Sequence, residues 1–161
     1  FPTRRSSDLY TALVTGHVPS RAGRVEAPIG RDVRDASKRS IDTDFPQDAI
    51  THFVVQEILP TSTLLRLRLE TGRTHQIRVQ MCHLGHGLLG DALYFSKPRG
   101  KIDSPHQEKG LWSKIREASP RQMLHAHVLG LTHPSTQERL IFEVPPPPDF
   151  LHLESLLATL T

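Results

Sequence analysis

The sequence predicts an α+β fold: a mixed, mostly antiparallel sheet flanked by a few helices and long loops. Three observations carry that expectation. Apolar and polar residues alternate at period two in several segments, as Leu65, Leu67 and Leu69 do against Arg66 and Arg68, which gives a strand one buried and one wet face. Turn-like breaks at Pro60-Thr61-Ser62 and Pro134-Ser135-Thr136-Gln137 separate neighbouring strand segments closely enough for hairpins. Apolar residues at helical spacing occur only in two or three short stretches.

Residues 1–9, Phe-Pro-Thr-Arg-Arg-Ser-Ser-Asp-Leu, have neither period and break off directly before a well-patterned segment. They resemble translated sequencing-adapter sequence and are expected to be a non-native or disordered leader. Tyr10-Thr11-Ala12-Leu13-Val14 then reads as a strand, ended by Gly16-His17-Val18-Pro19, and residues 23–29 as a short second one. Residues 30–46 are polar and aperiodic, with Arg31, Arg34, Lys38 and Arg39, and are expected to be a solvated loop able to touch phosphate. Residues 49–59 and 63–70 are the next two strands. Thr74 is the expected N-cap of a helix carrying Ile77, Met81 and Leu84, and Gly85 suits the left-handed residue that ends it. Residues 95–121 read as loop, basic at Lys97, Arg99 and Lys101, with one short helix over 110–118. Residues 123–133 and 139–144 form a hairpin. Four prolines at 145–148 stop its second strand, and Asp149 can cap a closing helix that buries Phe150, Leu153, Leu156, Leu157 and Leu160.

The chain has 161 residues, enough for one domain, and a 37% hydrophobic share supports a core. No apolar run reaches about 18 residues, so no membrane span is expected, and the start carries no secretory signal. The single cysteine, Cys82, has no internal partner and fits a reducing, cytoplasmic setting. A net charge of +3 and a pI near 9.4 suit a polyanionic partner.

The stretch Glu70-Thr71-Gly72-Arg73-Thr74-His75-Gln76-Ile77-Arg78-Val79 places Arg73, His75 and Gln76 near a helix N-terminus, where free backbone N–H groups favour anions such as phosphate. Arg78 follows His75 by three residues and precedes Cys82 by four, so these share a helix face beside the apolar stripe. From these residues alone, an ordinary strand-to-helix connection with solvated side chains fits as well.

Residues 72–78, Gly-Arg-Thr-His-Gln-Ile-Arg, also closely resemble the motif of RluA-type RNA pseudouridine synthases. Leu84-Gly85-His86-Gly87-Leu88-Leu89-Gly90-Asp91-Ala92-Leu93-Tyr94 is similar to that family's Leu-Gly-His-Pro…Gly-Asp…Tyr run, with Gly87 in place of proline. Tyr10-Thr11-Ala12-Leu13-Val14-Thr15-Gly16, Leu124-His125-Ala126, Thr132-His133-Pro134 and Phe142-Glu143-Val144-Pro145 follow the same order. The resemblance covers roughly residues 10–150, so 10–161 is expected to be a partial catalytic domain. It implies isomerisation of uridine to pseudouridine in structured RNA, ribosomal or transfer, by a monomer that needs no cofactor or metal. It further implies that Arg78 pairs with the nucleophilic aspartate and that Tyr10 stacks on the target base and assists a late proton removal. Leu124 would wall the pocket, while Arg73, His75 and Gln76 would bind substrate or brace the loop. The family carries its nucleophile in an Arg-Leu-Asp loop before the tyrosine strand. Nothing similar occurs here: Asp8 is too close to Tyr10, and Asp32, Asp35, Asp42, Asp44 and Asp48 all follow it. This chain by itself is therefore expected to be inactive.

Two other classes compete. His75, Cys82, His83 and His86 lie within one short stretch, with His125, His127 and His133 later, but their spacing matches no zinc signature. A non-catalytic RNA-binding module derived from a synthase would use the basic runs at 31–39 and 97–101 on phosphates.

Overall fold

The computed structural model describes residues 8–94 and 105–160, with side chains in the second stretch described from Gly110 onward. Most of the expected leader and the basic run at 97–101 lie outside the described residues. The elements are β1 (Leu9–Thr15), β2 (Ala22–Glu26), β3 (Gly30–Arg31), β4 (Arg39–Ser40), β5 (Ile50–Leu59), β6 (Ser62–Leu69), α1 (Gln76–His83), α2 (Pro105–Ala118), β7 (Leu124–Thr132), β8 (Arg139–Glu143) and α3 (Pro148–Ala158).

Six strands form one sheet in the order β2-β5-β6-β1-β7-β8, and β3 pairs with β4 in a separate ribbon. Every pairing among the described strands is antiparallel. The hairpins expected at residues 60–62 and 134–137 are both present, as β5–β6 and β7–β8. β1 can sit in the middle because Ala12, Leu13 and Val14 are apolar in succession and wholly buried, so both of its faces are covered. One face packs Ala12, Val14, Phe53, Leu65 and Leu67 against Ile77 and Met81 of α1. On the other, Leu13, Leu59 and Met123 meet Ile115 of α2 and Phe150, Leu153 and Leu157 of α3. Arg66 and Arg68 stay on exposed positions of β6, as their alternation predicts.

The pairing of β1 with β7 stops at Ala12 and Leu124. Beyond it the extended residues 87–89 take over as neighbour of β1, with Thr15 N–H donating to Gly87 and Leu89 N–H to Leu13. Leu88 and Leu89 consequently face opposite sides of the sheet, one in each core cluster.

Several expectations need correction. Asp8 is buried and β1 begins at Leu9, so ordered structure starts inside the expected leader. Asp8 Oδ1 accepts the Gly130 N–H at 3.3 Å, a long-range bond that no local pattern reveals. The N-cap of α1 is His75, in the left-handed region at φ 58°, not Thr74. There the Gln76 side chain folds back on the loop and accepts from Arg73 N–H, so no hydroxyl cap is used. Leu84 is the 43% exposed C-cap of α1 rather than a core residue, whereas Gly85 does adopt a positive φ, 84°. Asp149 lies in the first turn of α3 after Pro147 as N-cap, and its carboxylate pairs with Arg121 at 2.8 Å. α2 starts at Pro105, earlier than expected.

Residues 30–46 are not simply a solvated loop. They form the β3–β4 ribbon, closed at its base by a bridge between Ile29 and Gln47. Asp32 Oδ1 accepts from the N–H groups of Arg34 and Asp35, and Asp35 Oδ1 from the Ser37 N–H and hydroxyl. Such side-chain-to-backbone bonds shape a turn without any apolar period, which is why a hydrophobic pattern misses it. Ile29 and Ala49 then pack on Val79 of α1, fixing the ribbon against the helix.

Candidate active site

α1 is placed by buried amides rather than by caps. Gln80, fully buried, donates from Nε2 to the carbonyls of Ala27 and Ala49 and accepts at Oε1 from the Thr51 hydroxyl at 2.6 Å. Gln76 is also buried. Its Nε2 donates to Ile50 O and Thr51 Oγ1, and its Oε1 accepts from Thr71 Oγ1 and Arg73 N–H. Satisfied in this way, the two amides cost little to bury and lock α1 to β5. Gln76 thus braces the loop, with its whole amide already engaged.

The geometric centre of the site is Arg78. Its Nε donates to Asp91 Oδ2 at 2.7 Å and its Nη2 to Oδ1 at 2.8 Å, a bidentate pair whose side chains are 14% and 0% exposed. Oδ1 of Asp91 also accepts the N–H groups of Leu93 and Tyr94. Burial disfavours the charged carboxylate, but the Arg78 hydrogen bonds and the two amides outweigh it, so the Asp91 carboxyl stays below the usual carboxylate range. The same bonds, against the opposing effect of burial, raise Arg78 further above its already high value. Nη1 of Arg78 makes no hydrogen bond among the described residues, so one donor nitrogen is left for an incoming group.

Tyr94 connects this pair to its surroundings. The Arg78 guanidinium lies 4.9 Å from the centre of the Tyr94 ring. The Tyr94 hydroxyl accepts the Arg39 N–H at 2.8 Å and meets His75 Nδ1 at 3.0 Å. Burial lowers the His75 pKa, and the positive charges of Arg78 and Arg39 lower it further. A neutral imidazole with Nδ1 as acceptor for the Tyr94 O–H follows from that environment. Gly90, at φ 71°, lets the chain before Asp91 pass close to Arg121, because a Cβ there would stand 2.0 Å from the Arg121 carbonyl oxygen.

Tyr10 and Leu124 border the same apolar cluster as Ile77 and Met81, on the α1 face of the sheet. They sit on adjacent strands, Leu124 opposite Ala12 and Tyr10 opposite Ala126. Arg73 lies exposed in the loop between β6 and α1, its Nε donating to the Asp48 carbonyl at 3.0 Å. The fold therefore gathers Tyr10, Arg78, Leu124, Arg73 and His75 on one side of the sheet. Asp91 and Tyr94 received no role from sequence reasoning, although both stand in the Gly-Asp…Tyr run that resembles the family's. Gln80 had no signal at all.

Among the described residues no group of three or more His, Cys, Asp or Glu stands close enough to hold a metal ion. His86 is engaged with the Thr15 carbonyl, and His125 and His127 with that of Val144. No described helix is long and apolar enough to cross a membrane.

A family model described as RNA pseudouridylate synthase matches residues 1–83. The ribosomal large subunit pseudouridine synthase D of Pseudomonas aeruginosa is 43% identical over 154 residues, covering 96% of this chain and 46% of the relative. An RNA pseudouridine synthase of Bacillus subtilis is 42% identical over 144 residues, covering 89% of this chain and 42% of the relative. The chain thus spans about half the length of the relatives it matches. Among solved structures, human RNA pseudouridylate synthase domain containing 1 superposes with a TM-score of 0.71 at 29% identity, over 93% of this chain and 59% of that one.

Proposed function

Because the chain belongs to the RNA pseudouridylate synthase family, of the RluA type, we propose that it forms part of the active site of an enzyme that isomerises uridine to pseudouridine in RNA. The single observation that carries this reading is Arg78, held rigidly by Asp91 with Nη1 unengaged among the described residues. In the reaction, the target uridine leaves its stack. An aspartate attacks the nucleoside, the glycosidic bond breaks, the uracil turns, and its C5 bonds to the sugar in place of nitrogen. Arg78 keeps the attacking carboxylate ionised and oriented through the donor that Asp91 leaves over. Tyr10 stacks on the base and assists removal of the C5 proton. Leu124 forms the apolar wall, and Arg73 and His75 position substrate at the helix entrance. The aspartates at 32 and 35 are engaged in shaping the β3–β4 ribbon, and Asp91 is committed to Arg78. No Arg-Leu-Asp loop precedes Tyr10 in these residues, so we assign the nucleophile to another segment of the parent enzyme. The relatives' names favour ribosomal RNA as substrate, hence a cytoplasmic reaction.

Tritium release from RNA carrying 5-tritiated uridine tests the assignment, since forming the new carbon bond expels the C5 hydrogen. The full-length gene product should release tritium, an Arg78→Ala variant should lose at least about 100-fold, comparable to removing one oriented charge-stabilising donor, and the isolated chain should release none. Arg78-dependent release by the chain alone would place the nucleophile within it. No release by the full-length product would instead favour a non-catalytic RNA-binding module.

A further inference from the structure

Between the β3–β4 ribbon and the loop entering α1 lies a cavity of about 320 Å³, lined by Arg31, Arg39 and Arg73 together with Ile29, Phe45 and Thr74, and by no acidic side chain. Its size is at the lower end for small-ligand sites. Of the acids nearest in sequence, Asp32 and Asp35 accept from backbone amides of their own turn and Lys38 pairs with Asp35, while Asp44 and Asp48, next to Phe45 and Gln47, are not among the lining residues. The side chains of Arg31 and Arg39 make no hydrogen bond or ion pair among the described residues. Arg73 is anchored by its Nε on Asp48, which leaves both terminal nitrogens for a ligand. Three guanidiniums converging without a counter-charge are mutually repulsive until an anion joins them.

At the rim stands Phe45, 83% exposed. Its backbone is held in place, because Gly30 packs so closely that a Cβ there would be 2.6 Å from the Phe45 carbonyl oxygen. An anchored loop segment presenting an uncovered aromatic ring beside three guanidiniums has the two parts of a single-strand nucleotide site, a stacking plate and a phosphate clamp. The cavity is also tied to the catalytic arginine: the Arg39 N–H bonds the Tyr94 hydroxyl, and the Tyr94 ring lies against Arg78.

We infer that this cavity holds one unstacked nucleotide of the substrate RNA, a neighbour of the target uridine, with its phosphate on Arg31, Arg39 and Arg73 and its base on Phe45. The inference rests on the RNA reading above and adds to it a preference for single-stranded flanking sequence. A paired nucleotide offers Phe45 no free base face.

Fluorescence anisotropy with the 161-residue chain tests it, using a labelled uridine-containing RNA octamer and a blunt duplex of equal length over a salt series. Phe45→Ala should weaken octamer binding about tenfold, within the range for one stacked base, without changing the salt slope or duplex binding. Phe45→Trp should restore the affinity. Arg31→Ala with Arg39→Ala should reduce the salt slope by about 0.7, the value for one lost phosphate contact on a single strand. Circular dichroism melts confirm that each variant is folded. Octamer binding that ignores both the Phe45 and the arginine changes overturns the cavity assignment alone, as does equal weakening of octamer and duplex by Phe45→Ala. A chain that binds neither RNA overturns the cavity assignment and counts against the RNA reading itself.

Discussion

The two faces of the central sheet are built on different principles. Against α2 and α3 the interior is filled by large apolar side chains, Leu13, Ile115, Met123, Phe150, Leu153 and Leu157, with only small hydroxyls such as Ser119 buried beside them. The α1 face buries Thr51, Gln76, Gln80 and Asp91 as well as its apolar cluster. Buried polar groups are costly unless each finds a partner, and the hydrogen bonds of Gln76, Gln80 and Asp91 supply those partners. That face also carries every candidate substrate residue. The difference teaches that the α2–α3 face confers stability, while the α1 face trades simple packing for a fixed polar geometry.

The sharpest way to break this contrast is to damage each face in turn. Phe150→Ala should cost about 3–5 kcal/mol in urea unfolding, as for a large aromatic removed from a packed core, and leave RNA affinity of the folded fraction intact. A large loss of affinity from the folded fraction would mean the two faces are not separable. Asp91→Ala should cost about 3 kcal/mol, toward the low end for leaving a buried charge unpaired, since Arg78 retains some water. Combined with Arg78→Ala it should be clearly sub-additive in a double-mutant cycle; simple additivity would show that the pair is not coupled.

A smaller effect is expected with pH. The Asp91 carboxyl is depressed, so its contribution is complete above the unfolded value near 3.8 and is lost as pH falls through the lower folded value. Asp91→Asn should flatten stability against pH in that acid window. The His75 pKa is also lowered, but for a base the sign has a different consequence: the unfolded chain binds the extra proton, so stability rises with pH up to about 6.5 and is level above it. His75→Asn, which tolerates the left-handed backbone, should remove that rise; a rise that persists would assign it to another group. Least of all, Phe45→Ala should leave stability within about 0.5 kcal/mol, as an exposed position does, and any larger loss would identify the ring as structural.

Much of this was legible from the chain itself. Period-two alternation located β5, β6 and the β7–β8 pair because a half-buried strand must repeat every second residue, whereas β1, read as a strand too, is covered on both faces. The Leu64 to Leu69 stretch needed nothing more. The apolar face of α3 and the Gly85 stop of α1 followed from helical spacing and from glycine's freedom at positive φ. The Gly72–Arg78 motif pointed to the family and to Arg78.

Tertiary structure alone decided the rest, because long-range polar bonds leave no period in a sequence. Nothing local tells that Asp91 reaches Arg78, that the Gln80 amide joins Ala27, Ala49 and Thr51, or that Asp8 meets Gly130 across the sheet. The β3–β4 ribbon was hidden for the same reason, its shape coming from aspartates bonding their own backbone rather than from apolar spacing. Local repetition fixed the strands and the helices that cover them, whereas the partner of each buried charge and the convergence of Arg31, Arg39 and Arg73 exist only once distant segments have packed together.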